Sequence, residues 1–296
     1  MLQPFVFLKN YIKQVNQQGG PVEEDYFQLD RWLRNAYHYG PSPQECQEIF
    51  EDVLDKNSTS LFNRIFFTPG GHPGSFDIMQ SLYTNTVDTT LSQKLQRWDQ
   101  FILTQVSSVA VRNRWYMIKH LCEDTYLWKS FLDVACGSGV AFQALQTHHP
   151  TRHFHYVGID QDEQAIAYCQ AYHSMQEKNA QFKHIPFLSM TPETLGMSDL
   201  VWCSGFFDYI STRKGFMGAA RRLIDLSKKF VIIGNMGPYN PSKPFMDMMN
   251  WKIHYRTKDE LECIGHELHK KYQAITHTHV VTDDTGIQHY LCILLR

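Results

Sequence analysis

The chain has 296 residues, of which 43% are hydrophobic and 20% charged, and its formal net charge is −2. This charge gives no electrostatic reason to expect a nucleic acid or an anionic membrane as partner. No apolar run approaches the roughly 20 residues that a membrane-spanning helix needs, and the N-terminus lacks the basic region and cleavage site of a secretory signal. The seven cysteines form no CxxC pair, and the fifteen histidines show no zinc-binding spacing. We therefore predict a cytoplasmic protein with reduced thiols and no metal site.

The first 125 residues have the periodicity of helices. Apolar residues recur three and four positions apart in PFVFLKNYIKQV, EEDYFQLDRWLRNAY and SPQECQEIFEDVLD, and Gly/Pro breaks separate these runs. Ser42 and Pro43 are typical of a helix cap followed by proline in the first turn. The sequence predicts a helical N-terminal extension over residues 1–125 and a second domain over residues 126–296.

From about residue 129 short apolar strands alternate with helices. The strand candidates are SFLDVA, HFHYVGID, QFKHIPF, DLVWCSG and KFVIIGN, followed near the C-terminus by YQAITHTHVVT and IQHYLCILLR. Alternation of strand and helix predicts parallel strands with crossover helices on both faces. We therefore predict an α/β fold with a Rossmann-like sheet of seven strands, in which the last two strands form an antiparallel hairpin.

The strongest local signal is a glycine turn between the first strand and its helix. The strand FLDV leads into Gly137 and Gly139, where the missing side chains let a ligand approach the main chain. The second strand ends at Asp160, whose carboxylate can accept both hydroxyl groups of an adenosine ribose. Together these features predict a site for a cofactor that contains adenosine.

Two further positions favour S-adenosylmethionine (SAM) over a dinucleotide. Position 142 is Phe, where the dinucleotide-binding pattern has its third glycine. Asp133, at the end of the first strand, would repel a pyrophosphate, whereas SAM presents an ammonium group and a sulfonium nearby. We therefore predict SAM as the cofactor.

Several segments resemble a known family. DVACGSG, VGID and DLVWCSGFFDYI resemble the first, second and fourth motifs of class I SAM-dependent methyltransferases. GGHPGSFDIMQSLY, KLQRWDQFILTQVSSVAVRNR and IIGNMGPYNPSKPFMDMMNWKIHYRTKDEL resemble one branch, the enzymes that methylate 3-hydroxy fatty acids to make methyl-ester quorum-sensing signals. The resemblance runs from about residue 60 to 296. The chain departs from that branch at His72 and Ser75, where the branch usually has a tyrosine and an acidic residue.

The resemblance implies a role in SAM binding for each matching residue. The glycine turn would frame the methionine part, the end of the second strand would hold the ribose, helix arginines would pair with the carboxylate, and the fourth motif would lie beside the sulfonium. In that order the residues are Asp133, Ala135, Gly137 and Gly139; Asp160 and Gln161; Arg112 and Arg114; and Ser204, Gly205 and Phe206. Because no acidic residue follows the third strand closely, we expect Leu188 or Ser189 to contact the adenine through the main chain.

The implied reaction is methyl transfer to a small-molecule acceptor, and we favour the carboxylate of an acyl or natural-product acid. A carboxylate is ionised at pH 7 and needs no general base, so a cation near the methyl group would be enough to orient it. Arg256 is the candidate cation and Tyr255 the candidate hydrogen-bond donor, unless Arg256 pairs with an acidic residue at the start of the following helix. Tyr83, Tyr209 and His254 could equally serve a hydroxyl or amine acceptor.

Other interpretations stay open. The chain could be an N- or hydroxyl-O-methyltransferase of secondary metabolism, or a non-catalytic SAM-fold binding module, although the intact glycine turn argues against the second. The charge and the segment SGFFDY in place of an NPPY tetrapeptide disfavour a nucleic-acid methyltransferase. Methionines after the fifth strand predict core packing, with a lid over the substrate as the alternative. We expect the helical extension to cover the acceptor pocket, and it could also form a homodimer interface.

Overall fold

The computed structural model describes residues 3–123, 128–148, 150, 153–173 and 179–296. Compact packing divides the chain into two units. The helical unit comprises residues 1–111 and 240–252, and the sheet unit comprises residues 112–239 and 253–296. The domain boundary that the sequence predicts between residues 125 and 126 lies outside the described residues.

The elements follow one another as a helical series and then as alternating strands and helices. In chain order they are α1 (Gln3–Gln17), α2 (Glu23–His38), α3 (Pro43–Ile49), α4 (Leu61–Phe67), α5 (Phe76–Thr84), α6 (Gln93–Thr104), α7 (Val106–Glu123), β1 (Ser130–Val134), α8 (Val140–His148), β2 (His155–Asp160), α9 (Glu163–Tyr172), β3 (Ala180–His184), α10 (Pro192–Leu195), β4 (Ser198–Cys203), α11 (Arg213–Asp225), β5 (Ser227–Met236), α12 (Lys243–Met248), α13 (Lys258–Lys271), β6 (Ile275–Thr282) and β7 (Gln288–Leu295). Helix α7 contributes to both units.

Local capping fixes where helices of the helical unit begin. At the start of α3 the Ser42 hydroxyl accepts a hydrogen bond from the Glu45 main-chain N–H at 3.2 Å, and the Glu45 carboxylate accepts one from the Ser42 N–H at 2.8 Å. Pro43 occupies the first turn, where its missing N–H removes no helical hydrogen bond. The cap that the sequence predicts here is confirmed.

Aromatic rings form the core of the helical unit. The ring of Phe62 lies edge-on to that of Trp98, with centroids 5.1 Å apart, and Phe101 and Phe50 pack around the same indole. Phe245 of α12 completes the cluster, with its centroid 5.2 Å from that of Phe101. Each edge-to-face pair is worth about 0.5–1.5 kcal/mol beyond the area it buries. The segment 240–252 is therefore part of this core.

The methionines of that segment pack inside the same unit. Met246, Met248 and Met249 are 4%, 2% and 1% exposed, so the core interpretation of these side chains is confirmed. The Tyr37 hydroxyl of α2 donates a hydrogen bond to the Asp247 carboxylate at 2.5 Å, and Lys243 pairs with the same carboxylate. These polar contacts fix α12 against α2.

The sheet unit contains a seven-stranded sheet in the order β3-β2-β1-β4-β5-β7-β6. The strands β1 to β5 pair in parallel, whereas β7 is antiparallel to both β5 and β6. The predicted α/β Rossmann-like fold with a final antiparallel hairpin is confirmed. Along the chain, helices connect successive parallel strands, because a parallel pair cannot be joined by a tight turn.

Side chains of the sheet alternate between two buried layers. Leu132 and Val134 face the layer that contains the apolar side chains of α11 and α13, whereas Phe131 and Tyr156 face the layer formed with α8 and α9. Because β1 has β2 on one side and β4 on the other, the strand order reverses direction at β1. The carboxyl ends of β1 and β4 therefore border the crevice where sheets of this kind bind ligands.

Among the residues that the structure describes, no helix has both the length and the hydrophobicity of a membrane span. The histidine, cysteine and acidic side chains of the same residues form no group of three that could hold a metal ion. Cys46, Cys136, Cys169, Cys203, Cys263 and Cys292 are free thiols.

Candidate active site

The turn after β1 brings main-chain atoms to the carboxyl edge of the sheet. Ala135, Gly137 and Gly139 have left-handed backbone conformations, with φ of 58°, 53° and 74°. The positive φ of Gly139 favours glycine, and a Cβ atom there would lie only 3.0 Å from the Cδ2 atom of His173. Ala135 is exposed and carries the strain of a non-glycine residue, a feature that clusters at ligand sites.

Asp160, at the end of β2, holds the glycine turn in place. One carboxylate oxygen accepts a hydrogen bond from the Gly137 N–H at 2.9 Å, and the other accepts one from the Asp162 N–H at 2.9 Å. Burial raises the pKa of Asp160, although these N–H donors act in the opposite direction. Each oxygen keeps a second lone pair, so the carboxylate can still accept ligand hydroxyl groups. The neighbouring Gln161 is exposed, and its carbonyl accepts a hydrogen bond from His184 Nε2 at 2.9 Å.

Asp133 is a buried carboxyl group on β1, only 3% exposed. The Tyr156 hydroxyl of β2 donates a hydrogen bond to it at 2.6 Å. Burial raises the pKa of Asp133 to about 7, the negative charge of Asp160 raises it further, and the tyrosine hydrogen bond lowers it. A cation placed beside Asp133 would stabilise the ionised form and reverse this shift.

The two arginines of α7 lie in different environments. Arg114 is 4% exposed; its Nη2 atom lies 3.6 Å from the Asp208 carboxylate and donates a hydrogen bond to the Gln288 side chain at 3.2 Å. Arg112 is half-buried, and burial lowers its pKa. A Cβ atom at Gly205 would lie 3.1 Å from the Arg114 Nη1 atom. Arg114 thus reaches the segment that follows β4.

That segment, Ser204 to Phe206, is half-buried at the carboxyl edge. The Phe206 ring stacks on that of Phe187, with centroids 4.3 Å apart and planes inclined by 21°. Phe187 belongs to the 3₁₀ turn Phe187–Ser189 after β3, and Leu188 in the same turn is 80% exposed. Phe187 is a site candidate that sequence reasoning missed, although its position directly after a strand was a usable signal. The structure therefore brings the ends of β3 and β4 together through two aromatic rings.

Asp208 is the centre of a buried polar network that sequence reasoning also missed. Its Oδ1 atom accepts hydrogen bonds from the Met236 N–H at 2.8 Å and from the Asn235 side chain at 2.9 Å. Burial raises the pKa of Asp208 to about 6, whereas Arg114, the Met236 N–H and Arg256 act to lower it. The usable signal was a polar residue inside an apolar stretch, in GFFDYI for Asp208 and in VIIGNM for Asn235.

Arg256 is 7% exposed and binds the main chain around the 3₁₀ turn Phe207–Tyr209. Its guanidinium donates to the Phe207 carbonyl at 3.1 Å, to the Asn235 side chain at 2.6 Å and to the Ile210 carbonyl. The guanidinium carbon also lies 4.7 Å from the centre of the Phe216 ring. Arg256 therefore clamps both ends of the turn.

Three other predicted acceptor-side residues are Tyr209, in this turn, and His254 and Tyr255, which directly precede Arg256 in the chain. Tyr209 is its last residue and is 38% exposed. The His254 N–H donates to the Asp208 carbonyl at 2.7 Å, and the His254 side chain is exposed. Tyr255 is half-buried between His254 and Arg256. The structure thus groups His254 and Arg256 with the segment after β4 through hydrogen bonds, and Tyr209 through its place in the chain.

Comparison with known proteins agrees with this geometry. Residues 132–225 match the family described as a methyltransferase domain. A search of curated proteins gives no match. The chain is similar in fold to a possible exported protein from Bordetella parapertussis, with a TM-score of 0.61 and 12% identity over 99% of this chain and 95% of that one.

Two other solved structures are similar in fold. Magnesium protoporphyrin IX methyltransferase from Synechocystis PCC 6803, solved with bound S-adenosylhomocysteine (SAH), gives a TM-score of 0.54 and 15% identity over 79% of this chain and 97% of that one. The CMeT domain of the citrinin polyketide synthase gives a TM-score of 0.53 and 11% identity over 90% and 69%. The sheet order, the glycine turn and the domain match together identify a class I methyltransferase fold. Residues 132–225 therefore form a methyltransferase domain, and SAM is the cofactor that such a domain uses.

Proposed function

We propose that this methyltransferase transfers the SAM methyl group to the carboxylate of a small acyl or natural-product acid. The observation that carries the proposal is the make-up of the segments after β4 and before α13. Their exposed polar residues include Tyr209 and His254, whereas the carboxylate between residues 204 and 210, that of Asp208, is buried and accepts hydrogen bonds from β5. A carboxylate acceptor needs hydrogen-bond donors and no carboxylate base.

The charges of the sheet unit support a placement for the methionine part of SAM. Asp133 is buried, and its pKa responds to one other charge, the carboxylate of Asp160. Arg114 lies 3.6 Å from the Asp208 carboxylate, on which Arg256 also acts. A SAM ammonium beside Asp133 and a SAM carboxylate beside Arg114 would each place a ligand charge next to a buried protein charge of opposite sign. In this proposal the ribose hydroxyls bind Asp160, and the turn residues Ala135 to Gly139 face the methionine chain.

Cofactor binding is tested by calorimetric titration of the protein with SAM and SAH. The Asp160→Ala variant should bind SAH at least about tenfold more weakly, because hydrogen bonds to a charged group contribute about 1.5–3 kcal/mol. Asp162→Ala is the matched control, since that carboxylate lies on the same turn and caps the Gln164 N–H. Equal affinities of the two variants would remove Asp160 from the ribose site.

The acceptor class is tested with methyl-labelled SAM and panels of carboxylic acids, alcohols and amines. A methyl ester releases its label as methanol in mild alkali, whereas a methyl ether or an N-methyl product keeps it. The second candidate, hydroxyl or amine methylation, rests on the exposed imidazole of His254. If His254 is a general base, His254→Asn should slow turnover by about 10²–10⁴-fold; with a carboxylate acceptor turnover should stay within a few-fold.

The predicted location and assembly belong to the same proposal. The free thiols of the described cysteines are what a reducing cytoplasm favours. Phe7 of α1 and Phe27 of α2 are 50% and 78% exposed, which gives the helical unit an apolar surface that a second copy could cover. Sedimentation at two protein concentrations tests the homodimer, and Phe27→Ser should shift the result toward monomer.

A further inference from the structure

One buried carboxylate, Asp208, contacts both halves of the candidate active site. Toward β5 its Oδ1 atom accepts from the Met236 N–H and the Asn235 side chain. Toward α7 its Oδ2 atom lies 3.6 Å from Arg114. Its main-chain carbonyl accepts from the His254 N–H. Asp208 is therefore in position to influence a cofactor-side arginine and an acceptor-side segment at once.

The contact with Asp208 helps to orient Arg114. Its guanidinium lies below Gly205, where any larger residue would bring a Cβ to 3.1 Å from Nη1. The Nη2 atom is held between the carboxylate of Asp208 and the Gln288 side chain of β7. A planar guanidinium fixed by two acceptors on one nitrogen presents its remaining N–H groups in a defined direction. Loss of either acceptor should allow the Arg114 guanidinium to rotate.

We propose that Asp208 is a positioning residue for cofactor binding, which orients Arg114 toward the carboxylate of the methionine part of SAM. The inference rests on the proposed function, because it assumes that Arg114 pairs with that carboxylate. Asp208 does not contact the cofactor itself in this arrangement; it acts through Arg114. The main-chain carbonyl of the same residue accepts from the His254 N–H, so the cofactor side and the acceptor side keep one relative placement.

The test compares two ligands by calorimetry: SAH and 5′-methylthioadenosine, which lacks the amino-acid carboxylate. Asp208→Asn is nearly isosteric and keeps an oxygen for the Met236 N–H, so we expect SAH to bind about tenfold more weakly and methylthioadenosine to bind unchanged. The matched control is Asp247→Asn, which removes a carboxylate paired with Lys243 in the helical unit and should change neither affinity. Equal weakening of both ligands by Asp208→Asn would overturn the positioning role.

A second variant guards against misfolding and tests the route through Arg114. In the Arg114→Met background, which removes the charge that Asp208 faces, a further Asp208→Asn change should leave the SAH affinity within about twofold. An additive loss would mean that Asp208 acts by another path. If the wild-type protein binds neither SAH nor SAM, the proposed function fails; if it binds SAH and Asp208→Asn binds it equally well, this inference alone fails.

A pH series supplies a readout that a purely structural role would not move. The charges that face Asp208 are Arg114 of α7 and Arg256, and burial raises the pKa of the Cys203 thiol of β4, which keeps that thiol neutral. As the pH falls through about 6, wild-type Asp208 takes up a proton and comes to resemble asparagine. The SAH affinity ratio between wild type and Asp208→Asn should therefore fall from about tenfold at pH 7.5 to within about twofold at pH 5. A constant ratio would contradict the proposal.

Discussion

The helical unit and the sheet unit each bury an aspartate whose carboxyl group is 3% exposed, Asp99 on α6 and Asp133 on β1. Burial raises the pKa of Asp99 to about 6 and that of Asp133 to about 7. Their partners differ. Asp99 accepts hydrogen bonds from the main-chain N–H groups of Leu61 and Phe62, both at 2.9 Å, at the start of α4. Asp133 accepts one from a tyrosine hydroxyl and has the carboxylate of Asp160 as its neighbouring charge.

The comparison shows that a raised pKa alone does not mark a functional group. Asp99 caps a helix of its own unit, and two N–H donors that would otherwise be unsatisfied account for its burial. For Asp133 burial and the charge of Asp160 make the charged form less stable, and only one tyrosine hydroxyl acts to stabilise it. What separates the two is whether the protein supplies the partners of the charge.

The largest effect that would sharpen this contrast is on stability at Asp99. Asp99→Ala leaves two buried N–H groups without an acceptor, so we expect a loss of about 2–4 kcal/mol in the free energy of unfolding. Urea denaturation followed by circular dichroism measures this loss. Asp99→Asn, which keeps one acceptor oxygen, should lose less. Both variants should bind SAH as the wild type does when they are folded; a lost SAH affinity would break the comparison.

Sequence reasoning succeeded where a feature is local. The glycine turn is encoded by Gly137 and Gly139 within three residues, and Asp160 ends the second strand. The seven-stranded sheet with its final antiparallel hairpin could be predicted because alternation of strand and helix leaves few topologies open. The cap at Ser42 was likewise readable, since it depends on residues three apart.

What sequence reasoning missed depends on partners far apart in the chain. Phe245 belongs to an aromatic cluster with Phe62 and Phe101. The residues next to Phe245 in the sequence do not indicate these distant contacts. The positive charge of Arg256 suggested that it binds the acceptor. In the structure its N–H groups donate hydrogen bonds to the Phe207 and Ile210 carbonyls. The contacts of Arg256 and the Asp208 network cannot be recognised by a fixed spacing in the sequence, because they join residues of separate elements such as β5 and α7.

The next effect in size is on cofactor affinity at Asp133. Asp133→Asn keeps an oxygen for the Tyr156 hydroxyl and removes the charge that we expect to meet the SAM ammonium. The affinity for SAH should fall by about tenfold to a hundredfold, measured by calorimetry at pH 8, where the wild-type carboxyl is ionised. Asp99→Asn is the control and should leave this affinity unchanged. If Asp133→Asn binds SAH as the wild type does, the ammonium lies elsewhere, and Asp133, like Asp99, has no role in ligand binding.

The pH dependence of stability is the most specific test, because it separates the two carboxylates within one experiment. Both pKa values are raised in the folded state, so each group contributes stability at pH 4 and below that is lost as the pH rises to its folded-state pKa. The stability of Asp133→Asn relative to wild type should therefore rise from about pH 4 and level off near pH 7, at most about 1.4 kcal/mol per pH unit. For Asp99→Asn the same rise should end near pH 6.

Saturating SAH should then move one of these end points and not the other. An ammonium group beside Asp133 favours the ionised carboxylate, so the upper end of its titration should shift down by about one pH unit or more. Asp99 already has its partners within the helical unit, and its end point should stay near pH 6. Urea midpoints measured from pH 4 to 8, with and without SAH, give both curves. If SAH moved both end points or neither, the distinction between a structural and a ligand-binding carboxylate would not hold for this protein.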